Sequence, residues 1–381
     1  MDKHEFQCKS WRFVYSLIAP YIVRKFNLTH DDLDVSDPCF VVCNHASSWD
    51  PLMLGCCFPN NKVYYVASEH IFRLGPVSWI IEKLVAPIPR RKATLGTDTV
   101  MQCLRHMRDG HTVCIFPEGD ATWNGITQKV FSNTGKLVRN SGATLVTYRL
   151  EGNYLSAPRW GKGTRRGKIN ARLVGVYPPE ELKKMKPDEI TALINKDIFE
   201  DAWERQKTEK LAFKGKAPAR FMERAVYLCP ECKKIGHMKG EGDTIRCSCG
   251  FERRFTPYGS FEPAQPFENI AQWDAWQKQM LAEGNYEHGS VLFSDDCVTL
   301  RELTKDHGEK NLVSGSVCIE NGAIKLADYT FDMTDISFMS LVQASILLFT
   351  YKDKYYEIHA DKPRCLRKYF EVWLNETKLK A

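Results

Sequence analysis

Between residues 10 and 205, short apolar runs alternate with stretches whose apolar positions recur at helical spacing. The runs 39–43, 63–67, 112–116, 143–150 and 169–177 are rich in β-branched and aromatic residues and predict strands. Helical spacing predicts helices over about 11–25, 70–84, 97–109, 128–140 and 187–205. Alternation of this kind implies an α/β domain with a mainly central sheet flanked by helices. A stretch rich in Lys, Ala and Pro follows, and beyond it the pattern changes. Residues 291–300, 315–320, 323–326, 346–351 and 354–359 read as short strands, and Leu366, Tyr369, Phe370, Trp373 and Leu374 close the chain at helical spacing. The expected organisation is a domain at 10–205, a basic linker at 206–225, a cysteine module at 226–256, and a β-rich domain with a terminal helix at 285–381.

Composition narrows this picture. With 381 residues, 43% hydrophobic and 26% charged, the chain is expected to fold into two or three domains. A net charge of +6 does not by itself separate a nucleic-acid binder from a protein that touches anionic lipid. Of the fourteen cysteines, Cys39, Cys43, Cys56, Cys57, Cys103 and Cys114 lie inside apolar runs, as reduced cysteines do in a cytosolic protein. The N-terminus has no signal-peptide pattern. The apolar stretch 13–23 is broken by Ser16 and Pro20 and falls short of the roughly 20 residues a spanning helix needs. Flanked by Lys9, Arg12, Arg24 and Lys25, it fits an interfacial helix lying on a membrane. It fits a buried core helix equally well.

Candidate chemistry sits at the end of the first predicted strand. Residues 40–51 read Phe-Val-Val-Cys-Asn-His-Ala-Ser-Ser-Trp-Asp-Pro. A histidine at a strand end with a carboxylate five residues later can have its imidazole oriented by that carboxylate while the other ring nitrogen takes a proton. Such a pair, His45 with Asp50, suits activation of an alcohol against a thioester. Asp50 also has the position of a plain helix cap ahead of Pro51, so the spacing alone is not diagnostic. A second run, Val113-Cys-Ile-Phe-Pro-Glu-Gly119, takes an apolar strand directly into a carboxylate-bearing turn.

Taken together, Asn-His-x4-Asp and then Phe-Pro-Glu-Gly about 70 residues on resemble the glycerolipid acyltransferases, the lysophosphatidate and glycerol-3-phosphate acyltransferase family. The resemblance covers about half the chain, residues 10–205, with looser matches at Ala86–Lys92 and 145–148. It implies that His45 is the general base and Asp50 its orienting partner. Phe116, Pro117, Glu118 and Gly119 would help hold the acceptor, and Arg90, Arg91 or Lys92 would face its phosphate. It also implies an acyl-CoA or acyl carrier protein donor, no catalytic cofactor, 1-acyl-glycerol-3-phosphate as acceptor, and a place in phospholipid biosynthesis at the inner face of a membrane. One departure stands out. Where related sequences place an arginine soon after Pro-Glu-Gly, this chain has Asp120-Ala121-Thr122. The segment 158–172, with six basic and no acidic residues, is a candidate source of the missing cation. The same departure supports the alternative of a lipid-binding protein that kept the fold and lost turnover.

Cys229-x2-Cys232 and Cys247-x-Cys249 form two close pairs with metal-knuckle spacing, and Gly250 supplies the turn. Four thiolates in two tight pairs suit structural zinc in a ribbon-like module. Neighbouring basic residues admit a nucleic-acid role, but aromatic-plus-basic stacking motifs are missing, which disfavours it. The strands and closing helix beyond the module suggest an α+β domain of pleckstrin-homology type.

Overall fold

The computed structural model describes residues 3–34, 37–73, 75, 78–79, 81–92, 96–286, 289–304, 308–362 and 364–378. The chain forms two compact units, one made of residues 1–91, 96–159 and 163–215, the other of 92–95, 160–162 and 216–381. Among the described residues no helix is long and apolar enough to cross a membrane.

The first unit is built on a seven-stranded mixed sheet. Its strands are β1 (Leu28–His30), β2 (Cys39–Cys43), β3 (Val63–Ser68), β4 (Ile88–Arg90), β5 (Thr112–Ile115), β6 (Thr144–Glu151) and β7 (Ile169–Tyr177), in the order β1-β7-β6-β2-β5-β3-β4. Pairing is parallel throughout except between β6 and β7. A mainly parallel sheet is covered on both faces, so its strands read as continuous apolar runs, and all five residues of β2 are buried. Alternation divides them between two cores. Cys39, Val41 and Cys43 pack with Ile22, Phe26, Phe58 and Tyr148, whereas Phe40 and Val42 pack with Tyr64, Met107, Val138 and Ile194.

The helices of this unit include α1 (Lys3–Phe26), α2 (Asp50–Gly55), α3 (Thr97–Arg108), α4 (Thr134–Ser141), the single turn α5 (Asn153–Ser156), α6 (Pro187–Asp197) and α7 (Ala202–Glu209), with a further helical turn at Pro179–Leu182. Three differ from expectation. Within the run 70–84 expected as one helix, the described residues form a 3-10 turn at Glu69–Arg73, helical residues at 78–79 and a π turn at Ile81–Val85. Leu74, Pro76, Val77 and Ile80 lie outside the described residues. The helix expected over 187–205 is two helices, the second begun by Asp201, whose carboxylate caps the amides of Trp203 and Glu204. The helix expected over 128–140 starts at Thr134.

The second unit holds the cysteine module and the C-terminal strands. A four-stranded antiparallel sheet runs through β8 (Met238–Glu241), β9 (Thr244–Cys247), β10 (Glu252–Phe255) and β11 (Phe261–Glu262). Helix α8 (Ile270–Glu283) follows. Then come β12 (Val291–Leu303), β13 (Glu309–Glu320), β14 (Ala323–Leu326), β15 (Tyr329–Asp332), β16 (Ile336–Val342), β17 (Ile346–Tyr351) and β18 (Lys354–Ala360), and helix α9 (Arg367–Lys378) closes the described chain. These seven strands form one antiparallel sheet in the order β15-β14-β13-β12-β18-β17-β16. The fold class is therefore the expected one: a mixed-sheet α/β region, a four-cysteine cluster and a sheet-rich C-terminal region.

Candidate active site

The turn between β2 and α2 carries His45 and Asp50. Asp50 is fully buried, and four donors reach its carboxylate. Its Oδ2 accepts from His45 Nδ1 at 2.8 Å and from the backbone amides of Ala46 at 2.7 Å and Ser47 at 2.9 Å. Its Oδ1 accepts from Asn153 Nδ2 at 3.1 Å. With the Asp50 carboxylate accepting at Nδ1, the Nδ1–H tautomer of His45 leaves Nε2 with a lone pair. The imidazole side chain is 22% exposed and stacks on Phe116, with ring centroids 4.5 Å apart. The pair is thus a histidine with one nitrogen anchored and the other free to take a proton.

The Pro-Glu-Gly turn packs beneath this pair. Glu118 accepts from the His45 amide at 2.6 Å through Oε1 and from the Gln128 amide at 2.6 Å through Oε2. Burial pushes its carboxyl up to about 8, against the pull of the Gln128 and His45 amides. The Thr122 amide donates to the His45 carbonyl at 2.9 Å, so both backbone groups of His45 are fixed from the 116–128 segment. Gly119 has φ of +77°, and a Cβ there would lie 2.4 Å from the ring of Phe131, so only glycine fits. The exposed Phe131 ring rests against this turn.

The basic residues expected to face a phosphate have different partners. Arg90, at the end of β4, has its guanidinium 5.9 Å from the centre of the Phe131 ring and no carboxylate partner among the described residues. Burial lowers its pKa. Arg91 lies 3.6 Å from the buried carboxylate of Glu69. Lys92 belongs to the second unit, where its Nζ donates to the Leu341 carbonyl at 2.7 Å.

The departure after Pro-Glu-Gly has a spatial counterpart. Arg159 pairs with Asp120 at 2.7 Å, donates to the Ala121 carbonyl and lies 4.0 Å over the Trp123 ring. A cation therefore does stand beside residue 120, supplied from the 158–172 segment and already neutralised. Other basic residues of that segment are also engaged: Arg165 is buried and donates to the Leu155 carbonyl, and Arg172 pairs with Glu151 at 3.0 Å. Sequence reasoning missed Asn153, Gln128 and Phe131. Asn153 reaches Asp50 from 103 residues away, Gln128 and Phe131 follow the Pro-Glu-Gly turn, and none of them belongs to a local pattern.

In the second unit the Sγ atoms of Cys229, Cys232, Cys247 and Cys249 lie within 4.8 Å of one another, with Cys229–Cys249 and Cys232–Cys247 both at 3.7 Å. Tetrahedral zinc with Zn–S bonds of about 2.3 Å spaces its sulfurs about 3.8 Å apart. The four-thiol set is one that can hold such a metal. Cys247 ends β9, and Gly250, with φ of +99°, turns the chain behind Cys249.

Residues 25–151 match the family model described as Acyltransferase. Among solved structures, the 1-acyl-sn-glycerophosphate (LPA) acyltransferase PlsC from Thermotoga maritima is similar at 18% identity and a TM-score of 0.42. The similarity covers 53% of this chain and 83% of that one.

Proposed function

We propose, from the premise that residues 25–151 form an acyltransferase-family domain, that this chain moves a fatty acyl group from a thioester to a hydroxyl of a glycerolipid. The donor is acyl-CoA or acyl carrier protein, and the acceptor is 1-acyl-glycerol-3-phosphate. The observation that carries this reading is the His45–Asp50 pair, one imidazole nitrogen tied to a saturated buried carboxylate and the other free. His45 Nε2 takes the proton of the acceptor hydroxyl as its oxygen attacks the thioester carbonyl, and Asp50 steadies the imidazolium that forms. The carbon–sulfur bond then breaks, and the imidazolium returns the proton to the leaving thiolate. A lipid binder without turnover would leave this base without a use.

Arg90 is the cation best suited to the acceptor phosphate. It has no acidic partner among the described residues, and it reaches the Pro-Glu-Gly turn through Phe131. Arg159 and Arg91 already face carboxylates. A membrane surface would present the acceptor. On α1, Trp11, Ala19, Ile22 and Phe26 are buried, while Phe6, Phe13, Leu17 and Tyr21 are exposed on a separate stripe. Together with Arg12 and Arg24, that stripe suits anionic lipid.

The test is transfer of labelled acyl groups from both donors to lysophosphatidate, glycerol 3-phosphate, lysophospholipids and neutral alcohols. Product formed from the phosphate-bearing glycerolipid above the others is the expected result. Transfer to neutral alcohols alone would overturn the acceptor assignment, and absence of any transfer would overturn the enzyme reading.

A further inference from the structure

The Asp50 carboxylate is wholly buried and cannot draw on solvent, so each lone pair left without a donor carries a desolvation cost. Three donors on Oδ2 come from the His-x4-Asp turn itself. The fourth, on Oδ1, comes from Asn153, which is 1% exposed and 103 residues away in sequence. A carboxylate only accepts, so the Asn153 amide nitrogen is the atom that must face it.

The position of Asn153 is built rather than incidental. Gly152 precedes it at φ +80°, and a Cβ there would lie 2.6 Å from the Lys168 carbonyl, so the chain turns at a point open only to glycine. The Asn153 carbonyl is held by the Ala157 amide at 3.0 Å. Just upstream, the side chain of Asn44 both donates to the Leu150 carbonyl at 2.9 Å and accepts from the Leu150 amide at 2.7 Å. Two asparagines therefore tie the catalytic turn and the end of β6 together in opposite directions. Asn44 reaches from beside His45 to β6, and Asn153 reaches from just past β6 back to Asp50.

We infer that Asn153 is a positioning residue for the His45–Asp50 pair, setting the plane of the Asp50 carboxylate so that Oδ2 meets His45 Nδ1. Being neutral, the amide fixes the carboxylate without cancelling its charge; a lysine or arginine there would weaken the field that stabilises the imidazolium. The residue lies two positions beyond the segment matched to the acyltransferase family. The inference rests on the acyl-transfer reading of the pair, and its test is chosen to stand apart from that reading.

Two variants separate positioning from packing. Asn153→Ala removes the donor, while Asn153→Asp keeps the volume but sets a second carboxyl against Asp50. Steady-state transfer is measured with each, alongside thermal unfolding and the low-field proton resonance of the His45 Nδ1–H bond, assigned by its loss in His45→Ala. Positioning predicts KM within twofold of wild type and kcat at least tenfold lower in Asn153→Ala. It predicts a further fall in Asn153→Asp and a displaced or broadened resonance in both. If Asn153→Ala does not fold, Asn153→Asp carries the test. A packing role predicts the reverse order, with Asn153→Asp milder, and an unmoved resonance; either result overturns the inference. Should the wild type transfer nothing, the acyl-transfer reading fails, and the resonance still decides the place of Asn153.

Discussion

Asp50 combines two roles that its place in sequence does not separate. It stands just ahead of Pro51 at the start of α2, where an aspartate is an ordinary cap, yet its carboxylate turns back to the amides of Ala46 and Ser47 and to His45. The pairing of His45 with Asp50 was legible because five residues of turn suffice to close it. The groups that complete the site were not. Asn153 arrives from the start of α5, and Gln128 and Phe131 from the irregular stretch after the Pro-Glu-Gly turn, and no local pattern in the sequence marks them. The three basic residues at 90–92 looked equivalent in sequence and are told apart by what each already faces. From this follows an expectation for Arg90. Charge-assisted hydrogen bonds contribute about 1.5–3 kcal/mol, so Arg90→Ala should raise KM for a phosphate-bearing acceptor roughly 10- to 100-fold and leave neutral acceptors unaffected. Arg90→Lys should recover only part of the loss, since an ammonium lacks the planar fork. An unchanged KM for the phosphate acceptor in Arg90→Ala would remove Arg90 from this role.

The pattern of apolar positions located every strand of the central sheet except the short edge pieces β1 and β4, three residues each. Helix ends were less legible, because they are set by caps such as Asp201 between α6 and α7. For α1 the sequence supported both a core helix and an interfacial one, and the structure buries one stripe of the helix and leaves another exposed. Ile22 and Phe26 enter the core with no exposed surface, while Phe13 is 67% and Leu17 63% exposed. Burying an apolar side chain of this size is worth about 1.5–3 kcal/mol. The double variant Phe13→Glu/Leu17→Glu should therefore lose at least tenfold in binding to anionic vesicles in a sedimentation assay, with its thermal unfolding little changed. Vesicle binding equal to wild type would show that this stripe does not meet lipid.

On the scale of the whole chain, the residues fall into two compact units. The cysteine module and the C-terminal strands share one unit, in which Arg367 of α9 is buried between Asp274 of α8, at 2.6 Å, and Glu371, at 2.8 Å. The sequence revealed the four cysteines through their spacing, but not strands β15 and β16 or α8, whose buried stripe includes the polar Asp274 and Gln277. If zinc fills the thiol set as proposed, its binding free energy, about 10–16 kcal/mol in zinc-finger peptides, becomes stability of that unit. Metal analysis should find about one zinc per chain, and Cys232→Ser with Cys247→Ser should abolish it and lower the unfolding temperature. Protein purified without chelator and free of metal would contradict the assignment.

The claim on which the rest depends is that His45 is the base. A positioned general base contributes about 10²- to 10⁴-fold to rate. The most direct measurement is the rate of labelled acyl transfer to lysophosphatidate by wild type and by folded His45→Ala, side by side. Turnover by the wild type and a fall of about a thousandfold, or to background, in the variant is the expected result. Equal rates in the two proteins would contradict the assignment of His45 as the base.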